Sequence, residues 1–227
     1  MSKQDKTMTT EEMNKHEERE LLLDSVRDFN EREFIPRQEL FEGLKGEQKP
    51  HTLFIGCSDS RVVPHMLTNS LAGDLFVVRN IANLVPFYET ETKQFVATSA
   101  VIEYAVLELK VENIVVCGHS NCGGCGALYM GEELDKLHHT KKWLELAHPV
   151  KEIVEEKIAK KKIPLEKREE YTEKMNVVLQ LRHLMHYPYI RTRVRAGKLH
   201  LYGWYYNIAE GRIYNYDKKS RKFVKVE

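Results

Sequence analysis

The apolar residues of this chain fall into two kinds of run. Four short runs are almost wholly apolar and are bounded by turn-forming residues: Thr52-Leu53-Phe54-Ile55-Gly56, Leu75-Phe76-Val77-Val78, Asn113-Ile114-Val115-Val116-Cys117, and the longer Leu199-His200-Leu201-Tyr202-Gly203-Trp204-Tyr205-Tyr206. Runs without polar alternation suit strands covered on both faces, as in a parallel sheet. Between the second and third lies a stretch from Phe95 to Leu109 in which Val96, Ser99, Ala100, Ile102, Tyr104, Val106 and Leu107 predict a helix. Strands alternating with helices imply an α/β fold: a central, mostly parallel sheet of four parallel strands, joined by right-handed crossovers and flanked by helices. Ile208-Ala209-Glu210-Gly211 marks a turn into Arg212-Ile213-Tyr214-Asn215-Tyr216, an antiparallel strand at the C-terminal edge.

Two further stretches are helical in pattern. Residues 10–46 are charged and carry Leu21, Leu22, Val26, Phe29, Phe34, Leu40, Phe41 and Leu44 at helical spacing, broken near Pro36; Thr10 before Glu11-Glu12-Met13 is a capping-type start. They predict an N-terminal helical arm over 1–46, whose apolar stripe packs on another surface, ahead of an α/β domain over 47–227. No glycine occurs between Gly131 and Gly197, and Pro149, Pro164 and Pro188 interrupt that stretch, so 132–196 reads as several helices inserted before the last strands. The Lys/Glu run at 151–174 is a solvated helical face.

Composition narrows the classes. The chain has 227 residues, 42% hydrophobic and 30% charged, which suits a core-forming globular protein rather than a disordered one. A net charge of +1 lacks the basic footprint of a nucleic-acid binder. No run of about 18 apolar residues is present, which excludes a membrane span. Met1-Ser2-Lys3-Gln4-Asp5-Lys6 has no apolar signal core, so the cytoplasm is the expected compartment. There the four cysteines, Cys57, Cys117, Cys122 and Cys125, are metal-binding, catalytic or buried rather than a disulfide framework.

The chemistry sits just after strands. Cys57-Ser58-Asp59-Ser60-Arg61 follows the first run, and Gly118-His119-Ser120-Asn121-Cys122-Gly123-Gly124 follows the third. In open parallel sheets, ligands bind beyond the carboxyl ends of the strands, at a switch in strand order. If these two strands are neighbours, Cys57, His119 and Cys122 converge there as a three-ligand zinc site with a fourth position for water; soft sulfur favours zinc over magnesium or calcium. Two thiolates cancel the ion's charge and leave its water less acidified, which makes an acceptor such as Asp59 useful. Arg61 would keep Asp59 ionised through a forked hydrogen bond. Other readings stand beside this one. Cys57 alone is a buried strand-end residue, Asp59 and Arg61 alone close a turn, and Cys122-Gly123-Gly124-Cys125 has the spacing of a thiol redox pair. Cys117, inside an apolar run, does not suit a four-cysteine site. His183-x-x-His186 has no thiol or carboxylate paired with it, and His138, His139 and His148 read as exposed helix residues.

Cys57-Ser-Asp-Ser-Arg61 followed by His119-x-x-Cys122-Gly-Gly resembles the β-class carbonic anhydrases. Arg79-Asn80-Ile81-Ala82-Asn83 resembles a further motif of that family. The similarity runs from Gln48 to Gly131 and resumes at Gly203-Trp204-Tyr205-Tyr206 and Gly211; the tail and the His119 to Cys125 stretch are similar to ε-proteobacterial members. The resemblance implies reversible hydration of carbon dioxide to bicarbonate and a proton by a zinc-activated hydroxide. It implies one zinc per chain on Cys57, His119 and Cys122, with Asp59 and Arg61 as the orienting pair. Gln48, Phe76, Ile81 and Tyr104 would be the substrate-binding residues, and a homodimer or dimer-based oligomer would be embraced by the arm. Carbonyl sulfide or carbon disulfide hydrolysis on the same scaffold, or a non-catalytic zinc- or bicarbonate-binding module, are the alternatives. In some bacterial members a Trp three residues before the first zinc Cys helps bind inhibitory bicarbonate with an Arg and a Tyr. Here that position is Phe54, though Arg79 and Tyr206 remain, which predicts an open zinc site.

Overall fold

The computed structural model describes residues 21–90 and 94–227; the capping start at Thr10 lies outside them. The chain divides into two compact units, one ending at Glu47 and one running from Gln48 to Glu227. The first contains helix α1 (21–29), a π turn at Asn30–Phe34, a 3-10 turn at Ile35–Arg37 and helix α2 (Gln38–Leu44). The helical path breaks at Arg37 (φ −124°), just after Pro36, whose ring cannot continue a regular helix. Phe41 packs against Phe29 and Phe34, with ring centroids 6.2 and 5.2 Å apart, but Leu21, Leu22, Leu23, Val26 and Ile35 stay exposed.

The second unit is built on a six-stranded sheet of order β2-β1-β3-β4-β5-β6: β1 (Thr52–Cys57), β2 (Leu75–Asn80), β3 (Asn113–His119), β4 (His200–Asn207), β5 (Arg212–Asp217) and β6 (Lys222–Lys225). The strands β2, β1, β3 and β4 are parallel, and β5 and β6 are antiparallel. All six residues of β1 are buried, as an unalternating apolar run requires. Its odd-numbered side chains, Leu53 and Ile55, join Ile114, Val116, Ile102, Val177 and Leu181 in one core. The even-numbered Phe54 packs on the opposite face with Val115 and Cys117, edge-on to Trp204. Each fully buried Leu or Ile of this kind contributes about 1.5–3 kcal/mol.

The helices are α3 (Pro64–Thr68), α4 (Val96–Glu103, continued as a π turn to Glu108), α5 (Gly123–Ala127), α6 (His138–Leu144), α7 (His148–Ala159), α8 (Arg168–Leu184) and α9 (Pro188–Arg195). The three prolines of 132–196 do start helices: Pro149 and Pro188 stand in the first turns of α7 and α9, and Pro164 leads into the 3-10 turn before α8. Among the described residues, no helix is long and apolar enough to cross a membrane. The sheet carries one edge strand more than the residue pattern predicts. Lys222-Phe223-Val224-Lys225 is half charged and reads as a tail, yet Phe223 packs on Tyr216 at 5.3 Å, and lysines suit an exposed edge.

Candidate metal centre

Chain order moves outward from β1 in both directions, to β2 on one side and then across to β3 on the other. That reversal opens a crevice beyond the carboxyl ends of β1 and β3, where a parallel sheet accepts ligands. Gly56 pairs with Cys117, so Cys57 and His119 finish adjacent strands at the same end. The chain then turns through Asn121 (φ 53°), a residue type that tolerates the left-handed region, and returns Cys122 as the N-cap of α5. The ligand atoms of Cys57, His119 and Cys122 lie within 4.8 Å of one another, all buried, and are the one such group among the described residues. The two sulfurs are 3.9 Å apart.

The donor chemistry fits a metal. His119 Nδ1 lies 3.0 Å from the Ser120 carbonyl, which as acceptor places the proton on Nδ1 and leaves the Nε2 lone pair facing the sulfurs. That Nε2 is fully buried with no hydrogen-bond partner, a state that costs free energy unless something coordinates it. Hydrogen bonding to Cys122 and burial push the Cys57 thiol up to about 12, and Cys122 is raised by its contact with Cys125. Two sulfurs and one imidazole in a tetrahedral-sized cluster suit zinc.

Asp59 follows β1 and stands 18% exposed at the mouth, its Oδ2 3.9 Å from His119 Nε2. Arg61 grips it three ways: its backbone N–H and Nε donate to Oδ1 at 3.0 and 2.9 Å, and Nη2 donates to Oδ2 at 2.8 Å. Arg61 Nη2 also donates to the Asn121 carbonyl at 3.1 Å, tying the Asp59 turn to the Cys122 loop. This fork holds the Asp59 carboxyl well below the usual carboxylate range. Arg79 Nε donates to the Cys57 carbonyl at 2.9 Å and its Nη2 to the Asp59 carbonyl at 2.6 Å, so it braces the loop backbone. Phe54 is buried behind the site.

The substrate residues expected from the resemblance separate into two groups. Ile81 follows β2 and touches α5: a Cβ built on Gly124 would sit 2.8 Å from Ile81 Cγ2. A groove of about 620 Å³ starts at Ser58, Asn80 and Ile81 and is walled by Phe95 and Trp143. Trp143 Nε1 donates to the Ile81 carbonyl at 2.8 Å. Gln48, by contrast, is exposed before β1, whereas Cys57 ends that strand. Phe76 pairs with Leu53, four residues before Cys57, about 13 Å back along the strand. Its ring meets Tyr104 at 5.9 Å. Within one copy these three do not reach the ligands.

The other candidates have structural settings. Cys117 is wholly buried in β3; Cys125 is buried with Asn176 Nδ2 3.8 Å from its sulfur, and all four cysteines are free thiols. His183 is buried with Nδ1 on the Val85 carbonyl at 2.7 Å, while His186, His138, His139 and His148 are exposed.

Close packing sets where the ligand loop sits. At Gly124 an added Cβ would also lie 2.9 Å from Ala82 Cβ and 3.1 Å from Ala82 N. Ala82 itself is at φ 61°, a strained conformation held in part by Asn176 Nδ2, which donates to its carbonyl at 2.8 Å. Gly124→Ala should therefore cost about 1–3 kcal/mol in chemical denaturation; unchanged stability would mean the loop yields freely.

One contact is absent from the residue-by-residue reading. Glu173 of α8 is buried; its Oε1 accepts the Cys122 N–H at 2.9 Å and its Oε2 accepts the Tyr205 O–H at 3.0 Å. Burial pushes its carboxyl up to about 7, against the two donors that favour the charged form. The available signal was its position four residues before Val177 and eight before Leu181, on the apolar stripe of the helix.

Comparison with known proteins agrees with this geometry. The carbonic anhydrase family model matches residues 52–213. A carbonic anhydrase of Helicobacter pylori (strain J99) is 39% identical over 208 residues, covering 88% of this chain and 91% of its own. One of Pseudomonas aeruginosa is 39% identical over 203 residues, covering 89% and 90%. Among solved structures, the β-carbonic anhydrase CcaA superposes with a TM-score of 0.84 at 36% identity, covering 93% of this chain and 100% of that one. A tetrameric β-carbonic anhydrase of Sordaria macrospora gives 0.70 at 33%, covering 86% and 95%. A family match over most of the chain, on a sheet whose switch point gathers two thiols and an imidazole, establishes that this chain belongs to the β-class carbonic anhydrase family.

Proposed function

We propose that the chain hydrates carbon dioxide reversibly to bicarbonate and a proton at the β1–β3 crevice, with Cys57, His119 and Cys122 as the ligands of one zinc ion and Asp59 with Arg61 as the orienting pair. The observation that carries this is the buried Cys57–His119–Cys122 cluster, with an unpartnered imidazole nitrogen beside an ionised carboxylate. Zinc held there supplies Lewis acidity, so that hydroxide is available from water near neutral pH. Asp59 accepts a hydrogen bond from the attacking oxygen and aims its lone pair at the carbon of carbon dioxide. Arg61 keeps Asp59 ionised and occupies both its oxygens, which holds the carboxylate off the metal ligands. Ile81 and the groove walled by Phe95 and Trp143 offer the apolar approach that carbon dioxide needs. The proton released must pass to buffer.

The substrate roles of Gln48, Phe76 and Tyr104 then require a second copy of the chain, since they stand away from the ligands of their own. We read the assembly as a homodimer, or an oligomer built from dimers. The exposed apolar stripe of the arm, Leu21, Leu22, Val26 and Ile35, supports a partner-embracing role. Four buried free thiols favour a reducing, cytoplasmic setting. Mixing a Gln48→Ala chain with a Cys57→Ser chain tests the shared site. Half the dimers are mixed and one site of each is intact, so about a quarter of wild-type sites should return; no recovery above the parents means that Gln48 acts within its own chain.

Stopped-flow hydration of carbon dioxide, before and after removal of zinc by a chelator and after its return, tests the activity itself. Loss and recovery with the metal are expected. Metal-independent hydration, or turnover of carbonyl sulfide in place of carbon dioxide, overturns the reading.

A further inference from the structure

Helix α8 carries a polar row inside its buried face. Glu173, Asn176, Gln180 and His183 follow one another at helical spacing of three, four and three residues, and all are buried. Each reaches irregular backbone at the carboxyl end of the sheet. Asn176 Nδ2 donates to the Ala82 carbonyl at 2.8 Å, Gln180 Oε1 accepts the Val85 N–H at 2.8 Å, and His183 Nδ1 meets the Val85 carbonyl. Buried loop backbone lacks the ladder partners of helices and strands, so side chains must satisfy it. The neutral amides of Asn176 and Gln180 do this at modest cost.

Glu173 is different. A buried carboxyl is expensive to desolvate, and an amide would serve a single N–H equally well. The N–H that Glu173 holds belongs to Cys122, which caps α5 with no side-chain cap of its own. Tyr205 of β4 fixes the second carboxyl oxygen, so the group has two anchors on rigid elements. Gly118 lets α8 come this close: a Cβ there would lie 2.7 Å from Val177 Cγ2 and 3.5 Å from the Glu173 carbonyl.

We infer that Glu173, braced by Tyr205, is a positioning residue for the Cys122 sulfur: it fixes the Cys122 backbone through its N–H and thereby sets how tightly zinc is retained. This rests on Cys122 being a zinc ligand. Outer hydrogen bonds of this kind are typically worth 10- to 100-fold in metal affinity. Asn176 and Gln180 support the neighbouring loop and have no contact with the Cys122 N–H.

The test uses full-length Glu173→Ala, Glu173→Gln, Tyr205→Phe and Cys122→Ser proteins. Zinc affinity is measured by competition with a chromophoric chelator, and the cobalt-substituted forms are examined for thiolate-to-metal absorption, at a temperature where circular dichroism shows each folded. Glu173→Ala is expected to weaken zinc about 10- to 100-fold and to shift the thiolate band. Glu173→Gln, which keeps an acceptor for the Cys122 N–H, should restore both to near wild-type values, and Tyr205→Phe should weaken zinc several-fold. Wild-type affinity and spectrum in folded Glu173→Ala overturn the inference, as does equal loss in Glu173→Gln. If Glu173→Ala does not fold, unchanged zinc retention in Tyr205→Phe overturns it instead. Cys122→Ser separates the two levels: if it keeps stoichiometric zinc, the ligand reading fails; if it loses zinc while Glu173→Ala keeps it, the positioning role alone fails.

Discussion

Cys57→Ser is expected to lose zinc and hydratase activity together. Cys57 ends a central strand whose six residues are all buried and which is paired on both edges. Cys125, on α5, is not part of the group whose ligand atoms lie within 4.8 Å of one another. Serine is close in size but its hydroxyl stays protonated at neutral pH and is a poor partner for zinc. Metal affinity should fall at least about 100-fold, beyond what loss of an outer contact costs. Burying the hydroxyl costs about 1–3 kcal/mol at most, so the protein should still fold. Metal content per chain, measured beside circular dichroism, decides the matter: stoichiometric zinc in a folded Cys57→Ser protein would show that the ligand set is wrong.

Asp59→Asn should separate metal from rate. Asp59 is outside the ligand group, so zinc content should stay at wild-type level. The amide keeps one oxygen for the Arg61 backbone N–H and Nε, but its NH2 then faces Arg61 Nη2, donor against donor. The acceptor that aims the attacking oxygen is weakened, and hydration at neutral pH should slow about 100-fold, the scale of a lost acid–base group. The sign of the pH dependence follows from the same contacts. Arg61 holds the Asp59 carboxyl below its ordinary value, so Asp59 favours the folded state above its unfolded pKa and loses that contribution only as pH falls beneath it. In the wild-type protein, an acid limb in hydration above about pH 5 must then come from another group. An unchanged rate in Asp59→Asn would remove the proposed role.

Much of the centre was legible along the chain because its parts are local. Unalternating apolar runs locate strands covered on both faces, and Cys57, Asp59, Arg61, His119 and Cys122 follow two of those runs within a few residues. The Asp59–Arg61 fork is a two-residue contact that a turn makes almost unavoidable. The hairpin at Gly211 (φ 63°) is likewise local. Contacts between segments far apart in sequence were not legible. Glu173 lies 51 positions from Cys122 and reads, one residue at a time, as part of a charged helix; only the packing of α8 on β3 turns it inward. The left-handed conformation of Ala82 is held in part by Asn176, 94 positions away, and Gly124 leaves room for it. Strand β6 has too little apolar residue to announce itself and exists because β5 offers an edge. Gln48, Phe76 and Tyr104 sit in ordinary surface and core settings whose distance from Cys57 depends on strand direction.

Hydrophobic period and short-range turn chemistry act over a few residues, so the chain's own pattern was enough to specify an α/β sheet and to nominate two thiols, an imidazole and an ion pair. Whether those groups meet is a matter of strand order, which no local preference controls. The placement of β1 between β2 and β3 put Cys57 beside His119, because a strand buried away from water must hydrogen-bond its backbone to a neighbour along each edge. Close packing of α8 and α5, allowed by Gly118 and Gly124, then held the loop that delivers Cys122.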